Sequence, residues 1–106
     1  MDMRDEWIAA LRAWAAKNDC VSELWLFGSR AKGTSEPKSD IDIALALVRP
    51  DGKTNWALAA YVESFDDWKS ELGAAVDWPV SLVAIGPKFE MDDTVRTTGI
   101  VLWRRD

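Results

Sequence analysis

Apolar residues recur at helical spacing in two long segments of this 106-residue chain. Over Met3–Lys17, large apolar side chains alternate with charged ones every three or four positions, which predicts an amphipathic helix that ends at Asn18. Similar spacing runs from residue 54 or 55 to about Leu72, where Gly73 is expected to end a second helix. The side chains expected to be buried in the second helix are Leu58, Tyr61, Val62, Phe65, Trp68 and Leu72.

Shorter apolar runs predict four strands. The first, Val21–Phe27, has large residues on both faces, which favours an interior position in a sheet. The second, Asp40–Val48, alternates aliphatic residues with acidic or small ones, so its aliphatic face belongs to the core. Pro79–Ile85 and Ile100–Trp103 are the third and fourth, and Phe89–Arg96 is a helix between them. This order predicts an α+β fold, a mixed sheet of three to four strands with helices packed on it, and residues 1–106 form one domain.

Composition limits the chemistry. With 13 basic and 18 acidic residues, the net charge of -5 argues against duplex nucleic acid as a partner, because phosphate neutralisation dominates such binding. The absence of histidine excludes His-based catalysis and His metal sites. The single cysteine, Cys20, fits a reducing compartment. No apolar run reaches the ~20 residues of a membrane span. A cytoplasmic protein without a membrane partner is therefore expected.

Two aspartates open the second strand and share one of its faces. Asp40 and Asp42 lie about 6–7 Å apart along an extended chain, so their negative charges repel each other. A divalent cation removes that conflict, and Mg²⁺ characteristically binds one or two carboxylates together with waters and substrate phosphate oxygens. The spacing therefore predicts that Asp40 and Asp42 are ligands of Mg²⁺.

A Gly-Ser turn precedes the aspartates by ten residues. Gly28 can adopt backbone angles closed to other residues, and Ser29 is a favoured cap for a short helix, whose first N–H groups face an anion. Arg30 is expected to hold a phosphate through two parallel hydrogen bonds. Either feature alone is typical of an ordinary turn or a solvated strand edge. Joined in this order between two strands, they predict a site for a nucleotide and its metal.

The pattern Gly28-Ser29, ten residues, Asp40-Ile41-Asp42 resembles the signature of the polymerase-beta-like nucleotidyltransferase superfamily. Residues 25–33 look like its small stand-alone branch, the minimal nucleotidyltransferases, and residues 98–103 resemble the closing strand of that branch. The resemblance implies an enzyme that moves a nucleoside monophosphate from a nucleoside triphosphate, with ATP as the expected one, to an acceptor hydroxyl. It assigns catalysis and metal binding to Asp40 and Asp42, and nucleotide binding to Gly28, Ser29 and Arg30.

The resemblance also implies a partner. Small members of this branch are commonly paired with a helical protein of the HEPN type in toxin–antitoxin modules, which makes an antitoxin role and such a partner the first expectation. The chain has no second domain to bind an acceptor. A partner protein or self-association as a homo-oligomer is therefore expected to complete the site.

One expected residue is missing. In the family that this chain resembles, a third acidic residue on a neighbouring strand completes a two-metal site and receives the proton of the attacking hydroxyl. The corresponding position here is Ser81. Asp77 is the nearest substitute, but it lies about 13 Å away along an extended strand and would need a bulge at Trp78-Pro79. Three interpretations follow: an active nucleotidyltransferase, a weakened nucleotide-binding module that regulates a partner, or a purely structural domain whose loop binds nothing.

Overall fold

A mixed sheet of four strands carries helices on both of its faces. The computed structural model describes residues 1–47, 56–86 and 89–105, except for the side chains of residues 56–63. Its elements in chain order are α1 (Asp5–Lys17), β1 (Val21–Phe27), α2 (Gly28–Lys32), β2 (Ile41–Leu47), α3 (Trp56–Val76), β3 (Val80–Ile85), α4 (Asp92–Thr98) and β4 (Ile100–Arg104).

The strand order is β3-β2-β1-β4. β1 runs antiparallel to both β2 and β4, whereas β2 and β3 are parallel because α3 connects them. The predicted α+β class and the interior position of β1 are confirmed. The register places Asp42 of β2 beside Phe27 of β1 on one side and beside Ser81 of β3 on the other. The start of β2 is thereby fixed between the end of β1 and the start of β3.

The two faces of β2 enter different parts of the core. Ile41, Ile43 and Leu45 are fully buried in the larger apolar cluster, which α1 and α3 cover. Ala44 and Ala46 face the opposite side, where a smaller cluster includes Val95 of α4. The alternation predicted from the sequence is therefore observed. By the same alternation, Asp42 belongs to the face of the alanines.

The third helix is longer than expected, because Gly73 does not end it. The helix continues to Val76, and Asp77 then adopts a positive φ of 51°. The Trp78 N–H donates to the Gly73 carbonyl over 3.3 Å, which is the six-to-one hydrogen bond of a Schellman C-cap. Asp77 therefore takes the left-handed position that a glycine commonly occupies. Glycine within a helix weakens it only modestly, and packing of the following turn decides where it ends.

Other boundaries differ slightly. α4 begins at Asp92 and ends at Thr98, whereas Phe89–Arg96 was the predicted range; Asp92 and Asp93 lie in its first turn. The predicted end of β2 at Val48, the following turn and the cap of α3 fall on residues 48–55, outside the described part of the chain. The same holds for the side chains of Leu58, Tyr61 and Val62. In the described part of the chain, no helix is long and apolar enough to cross a membrane.

Candidate active site

The Gly28 turn and the Asp42 carboxylate are in direct contact. Gly28 opens α2 directly after β1 and has a φ of 73°, a left-handed conformation that other residues rarely adopt. A β-carbon at this position would collide with Asp42 Oδ2. Glycine is therefore required at position 28 for its backbone angle and for the space that the carboxylate occupies.

The two aspartates and Ser81 converge at the start of β2. Asp42 is partly buried, whereas Asp40 lies one residue before the strand and is exposed. Ser81 lies beside Asp42 on the parallel strand β3, and its hydroxyl is 3.4 Å from Asp40 Oδ2, a long hydrogen bond. Asp77 directly follows α3 and is not part of β3. The register therefore makes Ser81, rather than Asp77, the neighbour of the aspartate pair.

The donor set at this point consists of two carboxylates and one hydroxyl. Throughout residues 1–47, 64–86 and 89–105, no group of three or more Asp, Glu, His or Cys side chains is placed to hold a metal ion. Oxygen donors of this kind suit Mg²⁺, which accepts few protein ligands and keeps waters or phosphate oxygens in its remaining positions. Asp40 and Asp42 therefore fit one hard cation, and the described part of the chain places no third carboxylate beside them for a second.

The electrostatics of Asp42 favour a nearby cation. Burial raises the pKa of the Asp42 carboxyl, the negative charge of Asp40 raises it further, and the positive charge of Arg30 opposes both effects. Burial and a like charge disfavour the ionised form, and a bound divalent cation offsets both costs. This arrangement is expected of a carboxylate whose negative charge is balanced by a bound cation.

The Arg30 guanidinium makes its contacts within the protein. Its side chain is only 6% exposed, and it donates from Nε and Nη2 to the Ser39 carbonyl and from Nη1 to the Asp2 carbonyl. The guanidinium also lies 5.1 Å from the ring centroid of Trp7. Because these contacts hold it inside the protein, Arg30 does not present an open fork to a phosphate. Its charge acts on Asp42 from a fixed position.

The N-terminal segment fixes the loop between α2 and β2. Asp2 Oδ2 accepts hydrogen bonds from the Ser35 hydroxyl over 2.6 Å and from the Ser35 N–H over 3.1 Å. These bonds lower the pKa of the Asp2 carboxyl. The Asp2 N–H in turn donates to the Arg30 carbonyl over 2.7 Å. The sequence pattern gave no sign of this contact, because 33 residues separate Asp2 from Ser35.

An open cleft of about 450 Å³ adjoins Asp40. One wall comes from Asp40 and the start of β3, including Ser81, and the other from exposed residues of α3. The α3 residues of this wall are Asp66, Lys69 and Ser70. The cleft gives a second molecule direct access to Asp40, a property that the helical pattern did not reveal.

Comparison with known proteins gives the site a family context. The family model described as "Polymerase beta, Nucleotidyltransferase" matches residues 10–106. None of the curated proteins compared with the chain matches it.

Three solved structures resemble the fold. A toxin–antitoxin with AMP-PNP has a TM-score of 0.61 and 27% identity, over 96% of this chain and 73% of that one. A mutant of the toxin–antitoxin MntA-HpeT has a TM-score of 0.61 and 24% identity, over 98% and 76%. A protein assigned as a nucleotidyltransferase from Sulfolobus solfataricus has a TM-score of 0.56 and 19% identity, over 92% and 77%. At their lower identities, the second and third show the fold alone.

Proposed function

This chain belongs to the polymerase beta nucleotidyltransferase family, and we propose that it binds ATP with Mg²⁺ and transfers AMP to a hydroxyl group of a partner protein. The observation that carries the proposal is the contact between the Gly28 turn and Asp42. This contact brings together the two halves of the sequence motif, one suited to phosphates and the other to a metal.

Each residue of the site has a distinct part in the proposed reaction. Gly28 and Ser29 begin α2, where the first backbone N–H groups lack partners within the helix and can donate to phosphate oxygens. Asp40 and Asp42 would hold Mg²⁺, which would neutralise charge on the triphosphate. The acceptor hydroxyl would approach through the open cleft beside Asp40 and Ser81. Its oxygen would bond to the α-phosphorus as the bond from that phosphorus to the bridging oxygen breaks. Pyrophosphate would leave, and the hydroxyl proton would pass to water in the cleft.

Two observations favour ATP and a protein acceptor. AMP-PNP, present in the toxin–antitoxin structure that is 27% identical, is an analogue of ATP. The same structure is of a toxin–antitoxin, which favours a partner protein. The cleft in the present chain is open enough to admit a side chain from another molecule. A helical partner of the HEPN type, expected from the sequence resemblance, is our first candidate for the acceptor.

Ser81 supports a second candidate function. A serine hydroxyl is neutral and binds Mg²⁺ more weakly than a carboxylate, and it is a poor proton acceptor. Losing a general base typically slows a reaction by about 10²- to 10⁴-fold. A chain with this substitution could therefore bind Mg²⁺-ATP and regulate its partner by occupancy, with little transfer.

Transfer of label from [α-³²P]ATP separates the two functions. The chain is incubated with Mg²⁺ and a helical protein of the HEPN type, and label on that protein is compared for wild type, Asp42→Ala and Asp67→Ala. Asp67 is an exposed carboxylate on α3 and serves as the matched control. Label that disappears only in Asp42→Ala supports the transferase. Mg²⁺-dependent ATP binding without transfer supports the regulatory module, and absence of binding contradicts both.

A further inference from the structure

The Ser39 carbonyl is the point where three parts of the candidate site meet. It accepts hydrogen bonds from Arg30 Nε over 3.1 Å, from Arg30 Nη2 over 2.7 Å and from Trp78 Nε1 over 2.9 Å. Ser39 directly precedes Asp40. Arg30 follows the Gly28-Ser29 turn by one residue, and Trp78 lies three residues before Ser81. One acceptor atom therefore ties the phosphate turn, the aspartate pair and the neighbouring strand together.

The backbone on both sides of Asp40 is held. Before it, Ser39 is fixed through its carbonyl and through a turn in which its N–H donates to the Glu36 carbonyl over 3.0 Å. After it, the Ile41 N–H donates to the Pro79 carbonyl over 3.0 Å. Asp40 is thus exposed to solvent on a main chain that has little freedom to move. A metal ligand with an exposed side chain on a fixed main chain loses little backbone conformational entropy when it binds the metal.

Burying the Arg30 guanidinium is unfavourable unless contacts within the protein replace its contacts with water. Removing a guanidinium from water carries a large desolvation penalty, and within the described part of the chain Arg30 has no carboxylate at ion-pair distance. Three hydrogen bonds to carbonyls and the faces of Trp7 and Trp78, at 5.1 and 5.8 Å from the guanidinium, offset that penalty. Lysine cannot make these contacts, because only the planar guanidinium of arginine can donate from two nitrogens to one carbonyl.

From these contacts we infer that Arg30 and Trp78 are positioning residues: through the Ser39 carbonyl they set the separation between the Gly28-Ser29 turn and the Asp40–Asp42 pair. The inference rests on the proposed function, in which a single Mg²⁺-triphosphate must contact both halves at once. Neither side chain touches the nucleotide. Groups that orient metal ligands in this way typically contribute about 10- to 100-fold to metal affinity.

The test removes single hydrogen bonds and keeps the packing. Trp78→Phe deletes the Nε1–H that reaches Ser39 and retains a ring beside Trp7. Trp14→Phe is the matched control, because Trp14 Nε1 donates over 3.1 Å to Glu71 on α3, away from the site. Arg30→Lys is a second variant that keeps the charge and loses the fork. Calorimetry measures Mg²⁺-ATP affinity, thermal unfolding measures stability, and hydrogen exchange measures the opening of the Asp40 and Ile41 amides.

The inference predicts that Trp78→Phe and Arg30→Lys weaken Mg²⁺-ATP binding about tenfold relative to Trp14→Phe. Trp78→Phe should match Trp14→Phe in thermal stability and yet exchange faster at Asp40 and Ile41. Unchanged affinity in Trp78→Phe, with wild-type binding intact, would overturn the inference and leave the proposed function standing. If wild type bound no Mg²⁺-ATP, the proposed function would be wrong. Hydrogen exchange would then be the only test of the positioning role, and unchanged exchange at Asp40 and Ile41 in Trp78→Phe would overturn that role.

Discussion

The Asp42 carboxylate lies against the α-carbon of Gly28, in the space that a side chain at position 28 would occupy. Gly28→Ala therefore introduces two separate problems, a left-handed backbone angle for an L-residue and a collision with a proposed metal ligand. We expect this variant to lose stability and to lose Mg²⁺-ATP binding. Thermal unfolding and calorimetry measure the two effects.

Gly33→Ala is the matched control for that prediction. Gly33 has nearly the same φ, 75°, but the nearest side-chain atom to an added β-carbon is 4.0 Å away, at Asp2. Gly33→Ala should lower the free energy of unfolding only through the left-handed backbone angle, by about 1–2 kcal/mol. For a chain of this size, each kcal/mol lowers Tm by roughly 4–8 °C. Equal losses of stability and retained binding in both variants would show that the carboxylate contact has no role.

Ser81→Asp should restore the carboxylate that the family resemblance leads one to expect. Because Ser81 lies beside Asp42 and 3.4 Å from Asp40 Oδ2, a third negative charge here should lower thermal stability without metal. Added Mg²⁺ should reverse that loss and bind more tightly than in wild type. If Ser81 limits turnover, labelled AMP transfer should rise by about 10²- to 10⁴-fold.

Ser81→Asn, which is similar in size and neutral, separates charge from shape in this experiment. It should show neither the metal-dependent stabilisation nor the faster transfer. The gain in Ser81→Asp should also disappear when it is combined with Asp42→Asn. Identical Mg²⁺ responses in the aspartate and asparagine variants would mean that position 81 does not face the metal site.

Asp42→Asn should stabilise the metal-free protein at neutral pH. The pKa of Asp42 is raised in the folded state, so the folded protein holds this proton more tightly than the unfolded chain. Ionising Asp42 therefore costs stability as pH rises from the ordinary value of 3.8 through the raised pKa. The neutral asparagine avoids this cost, and its advantage should vanish below that window.

Thermal unfolding between pH 3 and pH 7 with a chelator measures this difference, and added Mg²⁺ should reverse its sign by stabilising only the wild type. Asp40→Asn gives a second check. It should bring the Asp42 pKa down, because the Asp40 charge is one cause of the shift, and it should weaken Mg²⁺-ATP binding with little loss of stability. Unfolding of Asp40→Asn at neutral pH would contradict a ligand role for that residue.

Asp2→Asn should have the opposite pH dependence. Hydrogen bonds from Ser35 lower the Asp2 pKa, so this group stabilises the fold above its ordinary pKa and loses that contribution as pH falls through the lowered value. The variant should be less stable than wild type at neutral pH and equal to it in strong acid. Ser35→Ala should reproduce the neutral-pH loss. A constant difference across the pH range would exclude the carboxylate as its source.

The local elements of this protein follow from its sequence because their signals are local. The alternation of Ile41, Ile43 and Leu45 with small or acidic residues determined which face of β2 enters the larger apolar cluster. The helical spacing of Trp7 and Leu11 identified α1. The Gly28-Ser29 and Asp40–Asp42 spacing identified the candidate site, since a turn and a strand start each require particular residue types at fixed offsets.

The tertiary structure decided which of those residues stay available to a ligand. It buried Arg30 against Trp7 and the Ser39 carbonyl, and it extended α3 to Val76, past the expected end at Gly73. It also placed Ser81 beside Asp42. These outcomes depend on contacts between residues far apart in the chain. The free energies of such contacts compete with local conformational preference, and a short window of sequence does not contain both residues of a contact.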